Sequence, residues 1–104
     1  MSGVSTHVLD TVRGEPAAGI VVRLERDDRE LGRGITDVDG RLGDFGVGAL
    51  SPGVYRLVFE TGDYLGAGSF FPEVVVTFRA DGRRPRYHVP LLLSPHAYST
   101  YRGS

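Results

Sequence analysis

The side chains best suited to chemistry in this sequence are its three histidines, because the chain contains no cysteine. His7 and His88 each lie within a stretch of alternating apolar residues, whereas His96 follows Ser94-Pro95 and is expected in an exposed loop. An imidazole can take up and return a proton near neutral pH. A histidine in an apolar strand must also find a hydrogen-bond partner, water or a ligand. His7 and His88 are therefore either acid–base residues or structural histidines.

Two further segments carry charged residues that could contact a ligand. The segment 36–41 is typical of a polar hairpin turn, and it ends in Arg41, whose guanidinium can bind oxygen pairs in a planar fork. Its aspartates resemble part of a calcium loop, but the required terminal glutamate is missing, so a calcium site is rejected. The segment 101–104 carries a tyrosine and an arginine. Chain ends usually fray, but alternation over 98–101 favours a final strand that would hold this tail in place.

The elements that must position these residues are mostly strands. Period-two alternation predicts strands near residues 20–25, 55–60, 73–79 and 87–93, and weaker ones near 4–9, 30–36 and 45–50. A short helix is predicted from Thr61, as its capping residue, to Leu65, with Gly66 ending it. Seven or eight short strands separated by turn pairs such as Asp-Gly favour an all-β sandwich. The pattern alone leaves strand order, and the choice between a sandwich and a small barrel, open.

Length and composition narrow the function classes. A chain of 104 residues is expected to form one domain, residues 1–104, with a thin core that self-association would help. Twelve basic and thirteen acidic residues give a net charge of −1, so neither nucleic acid nor an anionic membrane is an expected partner. Without cysteine, disulfide scaffolds and thiolate zinc sites are excluded. The start of the chain lacks a signal-peptide pattern, so the cytoplasm is the expected location.

Taken together and in order, several segments resemble one family, the 5-hydroxyisourate hydrolases, which are transthyretin-like enzymes of urate degradation. The resemblance covers the chain from Ser5 to Ser104 and implies a transthyretin-like sandwich of two antiparallel sheets with one short helix. It also implies a homotetramer whose active sites lie at subunit interfaces along a central channel. The segments that carry it are Ser5–Asp10, Thr36–Arg41, Phe59–Tyr64, Phe70–Glu73, His88–Pro95 and Tyr98–Ser104.

The same resemblance implies an activity and its residues. The reaction would be hydrolysis of 5-hydroxyisourate to 2-oxo-4-hydroxy-4-carboxy-5-ureidoimidazoline, on the route from urate to allantoin, with neither a metal nor another cofactor. The catalytic residues would be His7, Arg41, His88 and Ser104, and the substrate-binding residues would be His7, Arg41, Tyr101 and Arg102.

Opening a lactam ring with water sets three tasks that these residue types can meet. His7 and His88 would manage the protons of the attacking water and the ring nitrogen, and which of them is the base stays open. Arg41 would hold substrate carbonyls and stabilise the developing oxyanion. Tyr101 would add a hydroxyl donor and a wall to the pocket, and Arg102 would pair with a carboxylate or the substrate.

Three other functions compete with hydrolysis. A transthyretin-like carrier of a small ligand would share the fold, but its channel should lack the paired histidines and the arginine. A zinc enzyme would need histidines at metal-binding spacing, which this sequence lacks, and Arg41 would repel the cation. A non-catalytic adhesion or carbohydrate-binding sandwich is the third alternative.

Overall fold

A computed structural model describes residues 3–104, which form nine strands and one short helix. Seven of the strands have three or more residues, as the alternation predicts, and β2 and β5 are two-residue strands. In chain order the elements are β1 (Gly3–Asp10), β2 (Glu15–Pro16), β3 (Val21–Arg26), β4 (Arg29–Ile35), β5 (Arg41–Leu42), β6 (Gly53–Phe59), α1 (Thr61–Leu65), β7 (Val74–Ala80), β8 (Arg86–Leu93) and β9 (Tyr98–Thr100).

The strands form two sheets, which confirms the predicted sandwich. Sheet I has the order β2-β1-β8-β9, with β5 also pairing with β1, and sheet II has the order β4-β3-β6-β7. All pairs are antiparallel except β1 with β8, which run parallel in sheet I. Parallel neighbours require a long connection, and here residues 11–85, including all of sheet II, lie between the two strands. The first and the last long strands of the chain are therefore neighbours.

A single apolar layer lies between the sheets. Alternate residues of the long strands are buried there, including Val8 and Leu91 from sheet I and Leu24 and Leu57 from sheet II, all fully inaccessible. This alternation is what half-buried strands require, because successive side chains point to opposite faces. It follows that the residues between these core positions in sheet I point away from sheet II.

Two local predictions need correction. No strand forms at 45–50, because Gly46 and Gly48 take positive φ angles of 75° and 66°, which interrupt an extended backbone. The helix has the predicted bounds and ends at Gly66, whose N–H donates to the carbonyl of Gly62, but Thr61 does not cap it. The Thr61 hydroxyl instead donates to the Phe71 carbonyl. At five residues, this one helix of the described chain is too short to cross a membrane.

Candidate active site

The candidate site is built around β1, which lies between β5 and β8. His7 is directly opposite Arg41 of β5 in the antiparallel pair, and Ser5 is opposite His88 of β8 in the parallel pair. Directly opposed residues have Cβ atoms about 5 Å apart. Three strands that are distant in sequence therefore bring His7, Arg41 and His88 together.

Strand alternation places these side chains on the outer face of sheet I. Val4, Thr6 and Val8 of β1 are almost fully buried, with Val4 and Val8 in the apolar layer. The residues between them point to the opposite face, where His7 is half-buried. In β8, Tyr87 and Val89 are in the core, so His88 likewise points outward and is half-buried. The site is thus an open surface on a rigid sheet.

The ring of His88 is held from two directions. Its Nδ1 atom is 2.8 Å from the hydroxyl oxygen of Ser5, which is itself only 4% exposed. On the other side the tail pairs with β8, since the N–H of Gly103 donates to the His88 carbonyl at 2.8 Å. The tail is therefore fixed beside the ring, and β9 before it is the final strand that the alternation predicts.

The surroundings lower the pKa of His88 below its ordinary value. Burial is the largest cause, because removing water disfavours the charged imidazolium. Positive charge on Arg41, on His7 and on Arg86 lowers the pKa further, while a hydrogen bond with the backbone of Ser5 opposes the shift. The neutral imidazole, which has a free lone pair, is therefore favoured at neutral pH.

A cavity of about 220 Å³ opens beside His88 and combines several polar groups. Arg41 and Arg86 both line it, and among residues 3–104 no acidic side chain does. Such a lining suits a substrate that is rich in carbonyl oxygens or carries negative charge. The cavity is lined by Ser5, Thr6, Arg41, Gly43, Arg86, His88 and Ser104.

The tail divides between this cavity and a second one. Ser104 lines the first cavity with Arg41, whereas Tyr101 and Arg102 line a neighbouring cavity of about 310 Å³ between β7 and the tail. His88 borders both cavities. Tyr101 is 59% exposed, so within one chain it is an open wall and not a buried donor. His96 is exposed in the loop between β8 and β9 and lines neither cavity, as the sequence predicts.

Three residues of the site were not singled out from the sequence. Ser5 and Arg86 each lie two positions before a predicted site histidine, so period-two alternation places them on the same face and could have identified them. Gly103 could not be found in this way. Its contact with His88 depends on the pairing of the tail with β8, which no local pattern encodes.

Comparison with known proteins identifies the family. The model of the HIUase/Transthyretin family matches residues 4–103. A 5-hydroxyisourate hydrolase from Caulobacter vibrioides is 43% identical over 115 residues, covering 100% of both chains. The structure of Klebsiella pneumoniae 5-hydroxyisourate hydrolase matches with a TM-score of 0.90 at 36% identity, covering 100% of both chains. Sea bream transthyretin in complex with thyroxine matches with a TM-score of 0.81 at 29% identity, covering 96% of this chain and 93% of that one. This chain belongs to the HIUase/Transthyretin family.

Proposed function

We propose that this protein, acting as a single domain in the cytoplasm, hydrolyses 5-hydroxyisourate to 2-oxo-4-hydroxy-4-carboxy-5-ureidoimidazoline in urate degradation. The observation that carries the proposal is the meeting of His7, Arg41 and His88 on one outward face of sheet I, beside the tail. Relatives named 5-hydroxyisourate hydrolase, 42–46% identical over nearly the full chain, support the same reaction.

In the proposed reaction, water adds to a carbonyl carbon of the six-membered ring. His88 takes a proton from the attacking water, and His7 orients the water or returns a proton to the ring nitrogen as the C–N bond breaks. Arg41 faces the carbonyl oxygen and stabilises its negative charge in the tetrahedral intermediate. The ring opens to a carboxylate and a urea nitrogen. Because water itself attacks the carbonyl carbon, no side chain has to act as a covalent nucleophile.

The competing function is a transthyretin-like carrier that binds a small ligand without chemistry. Two arginines and a histidine line the 220 Å³ cavity, together with Ser5 and Ser104. An apolar ligand would offer the two guanidinium groups no hydrogen-bond acceptor, which costs free energy. The polar lining therefore favours hydrolysis of a polar heterocycle over carriage of an apolar ligand.

A coupled assay tests the proposed function directly. Urate oxidase generates fresh 5-hydroxyisourate, and its decay is followed by ultraviolet absorbance with and without this protein. We expect decay much faster than the spontaneous reaction, in proportion to protein concentration. Decay at the spontaneous rate would refute hydrolysis, and calorimetric binding of thyroxine in the same preparation would favour the carrier.

Replacing Arg41 by lysine is expected to reduce kcat/KM strongly although the charge is retained. Lysine loses the planar fork that binds two oxygens at once and offers a single ammonium group. Losing one oxyanion donor typically costs about 100-fold or more in kcat. Steady-state kinetics with the exposed Arg33→Lys variant as a control measure the effect. A loss below about threefold would show that Arg41 only ends a hairpin.

The pH profile should reflect the lowered pKa of His88. A base must be neutral to accept a proton, so we expect the acid limb of kcat/KM to lie below the ordinary imidazole value of about 6.5. Arg86→Gln removes a positive charge that disfavours the imidazolium, so it should move the limb to higher pH. The control Arg84→Gln makes the same change of net charge in the loop before β8. A limb that does not move in Arg86→Gln would exclude His88 as the titrating base.

We also propose a homotetramer with active sites at subunit interfaces. Two observations support it: the site lies on an outward, open sheet face, and β7 and β9 are both end strands of their sheets, on the same side of the sandwich. Unpaired edge strands readily pair with another chain. Sedimentation velocity should give four times the 11.3 kDa chain mass. An active monomer would contradict both the assembly and the shared sites.

A further inference from the structure

We propose that Ser5 and Gly103 are positioning residues that hold the His88 ring with its Nδ1 proton directed at Ser5 and its Nε2 lone pair free for the attacking water. This inference rests on the proposed hydrolase function. It identifies His88, and not His7, as the base. It also gives Ser5 and Gly103 a role that depends on their contact with His88 and not on contact with the substrate.

The contact with Ser5 fixes one side of the ring. Ser5 and His88 are directly opposed in the parallel pair of β1 and β8, and the two side chains point to the same face. The Ser5 oxygen lies 2.8 Å from Nδ1, within the range of a good hydrogen bond. Because Ser5 is almost fully buried, water cannot easily replace its hydroxyl. Nδ1 is therefore committed to Ser5, and Nε2 is the nitrogen left for chemistry.

The direction of this hydrogen bond decides the tautomer. A serine hydroxyl can either donate or accept, so the distance alone does not place the proton. A neutral imidazole carries a single proton, so a base that uses the Nε2 lone pair must carry that proton on Nδ1. The Ser5 hydroxyl oxygen, 2.8 Å from Nδ1, is placed to accept it.

Gly103 closes the opposite side of the ring. A Cβ atom at this position would lie 2.5 Å from the Cδ2 atom of His88 and 3.1 Å from its Cγ atom. The backbone of Gly103 lies outside the left-handed region, so alanine could adopt the same conformation without strain. The ring of His88 is therefore the reason that glycine is needed at this position. The close contact with Gly103 in turn restricts movement of the ring.

Nitrogen NMR of the imidazole rings tests the tautomer. The chain has three histidines, so each ring can be assigned from the spectra of His7→Gln, His88→Gln and His96→Gln variants. At a pH where the rings are neutral, His88 should show its proton on Nδ1, whereas free imidazole side chains prefer Nε2. In Ser5→Ala the His88 signal should revert to the Nε2-protonated pattern. An unchanged His88 pattern in Ser5→Ala would overturn the role of Ser5.

Kinetics then test whether the orientation matters. Ser5→Ala should lower kcat by about 10- to 100-fold, the cost of removing the partner that orients a histidine in metal sites, with KM little changed. The matched control is Thr11→Val, which removes a hydroxyl that also bridges the end of β1 to β8, at the Leu93 carbonyl 3.1 Å away. This control should retain full activity. Equal losses in both variants would mean that Ser5 only stabilises the strand pair.

Gly103→Ala gives an independent test from the other side of the ring. The added methyl should displace the ring, reduce kcat by a similar factor and change the NMR shifts of His88 while leaving those of His96 unchanged. If Gly103→Ala is fully active with unshifted His88 signals, Gly103 does not restrict the ring. Because the NMR measurements need no substrate, they remain decisive even if the wild-type protein does not hydrolyse 5-hydroxyisourate, so the two proposals can fail separately.

Discussion

Substituting His88 by alanine should lower kcat/KM by about 100- to 10,000-fold, the usual cost of losing one general acid–base group. His88 is the base favoured by the geometry: it borders both cavities, its Nδ1 is held by Ser5, and its lowered pKa keeps it neutral at neutral pH. His7→Ala should also lose most activity, since His7 faces Arg41 across the β1–β5 pair. The variants should remain folded, because both rings point away from the core.

The measurement is steady-state turnover beside circular dichroism and thermal melting. His96→Ala is the matched control, because this third histidine is exposed in a loop and lines neither cavity. It should turn over at the wild-type rate. Near-normal turnover in His88→Ala would make that histidine structural, and a loss in His96→Ala as large as in His88→Ala would point to a nonspecific effect on assembly.

Ending the chain at Thr100 should reduce activity by about 100-fold or more while leaving the fold largely intact. The removed residues include Gly103, which backs the His88 ring, and Ser104, which lines the cavity with Arg41. Their loss also admits water to a site that works best when it is preorganised. The fold should survive because even one fully buried large side chain contributes only about 1.5–3 kcal/mol, and Tyr101 is mostly exposed.

Melting curves and turnover of the truncated protein decide the question, and Tyr101→Phe separates two contributions within the tail. Phenylalanine keeps the wall of the second cavity and deletes the hydroxyl, so its effect should be smaller than that of truncation. A truncated protein that melts normally and turns over substrate at the wild-type rate would show that the tail does not contribute to activity. One that fails to fold would show that the tail is a structural strand.

The sequence predicts most of the fold because the alternation is strong where strands are half-buried. It fails at 45–50, where Phe45 and Leu50 are buried as strand residues would be, but the glycines between them impose positive φ angles. It also fails at the helix start, where the Thr61 hydroxyl bonds to the Phe71 carbonyl, a residue ten positions away. Both errors arise where a tertiary contact or a backbone conformation overrides the local pattern.

The candidate site could be predicted as a set of residues but not as an arrangement. Alternation places His7 and His88 in predicted strands, and the family resemblance adds Arg41 and the tail to the predicted site. No pattern in the sequence shows that β1 and β8 are parallel neighbours, and only that pairing brings Ser5 to Nδ1 of His88. The roles of Ser5 and Gly103 therefore become visible only in three dimensions.

The parallel pairing of β1 with β8 also determines when activity can appear as the chain folds. Ser5 and His88 are 83 positions apart, so their contact closes a loop that includes all of sheet II. Contacts of such high sequence separation are slow to form, because the entropy of loop closure is lost before the contact stabilises the chain. After dilution from denaturant, much of the far-ultraviolet circular dichroism of β3, β4, β6 and β7 can return through local hairpins. Turnover must wait for the first and last long strands to meet, so its recovery should lag behind the spectroscopic signal.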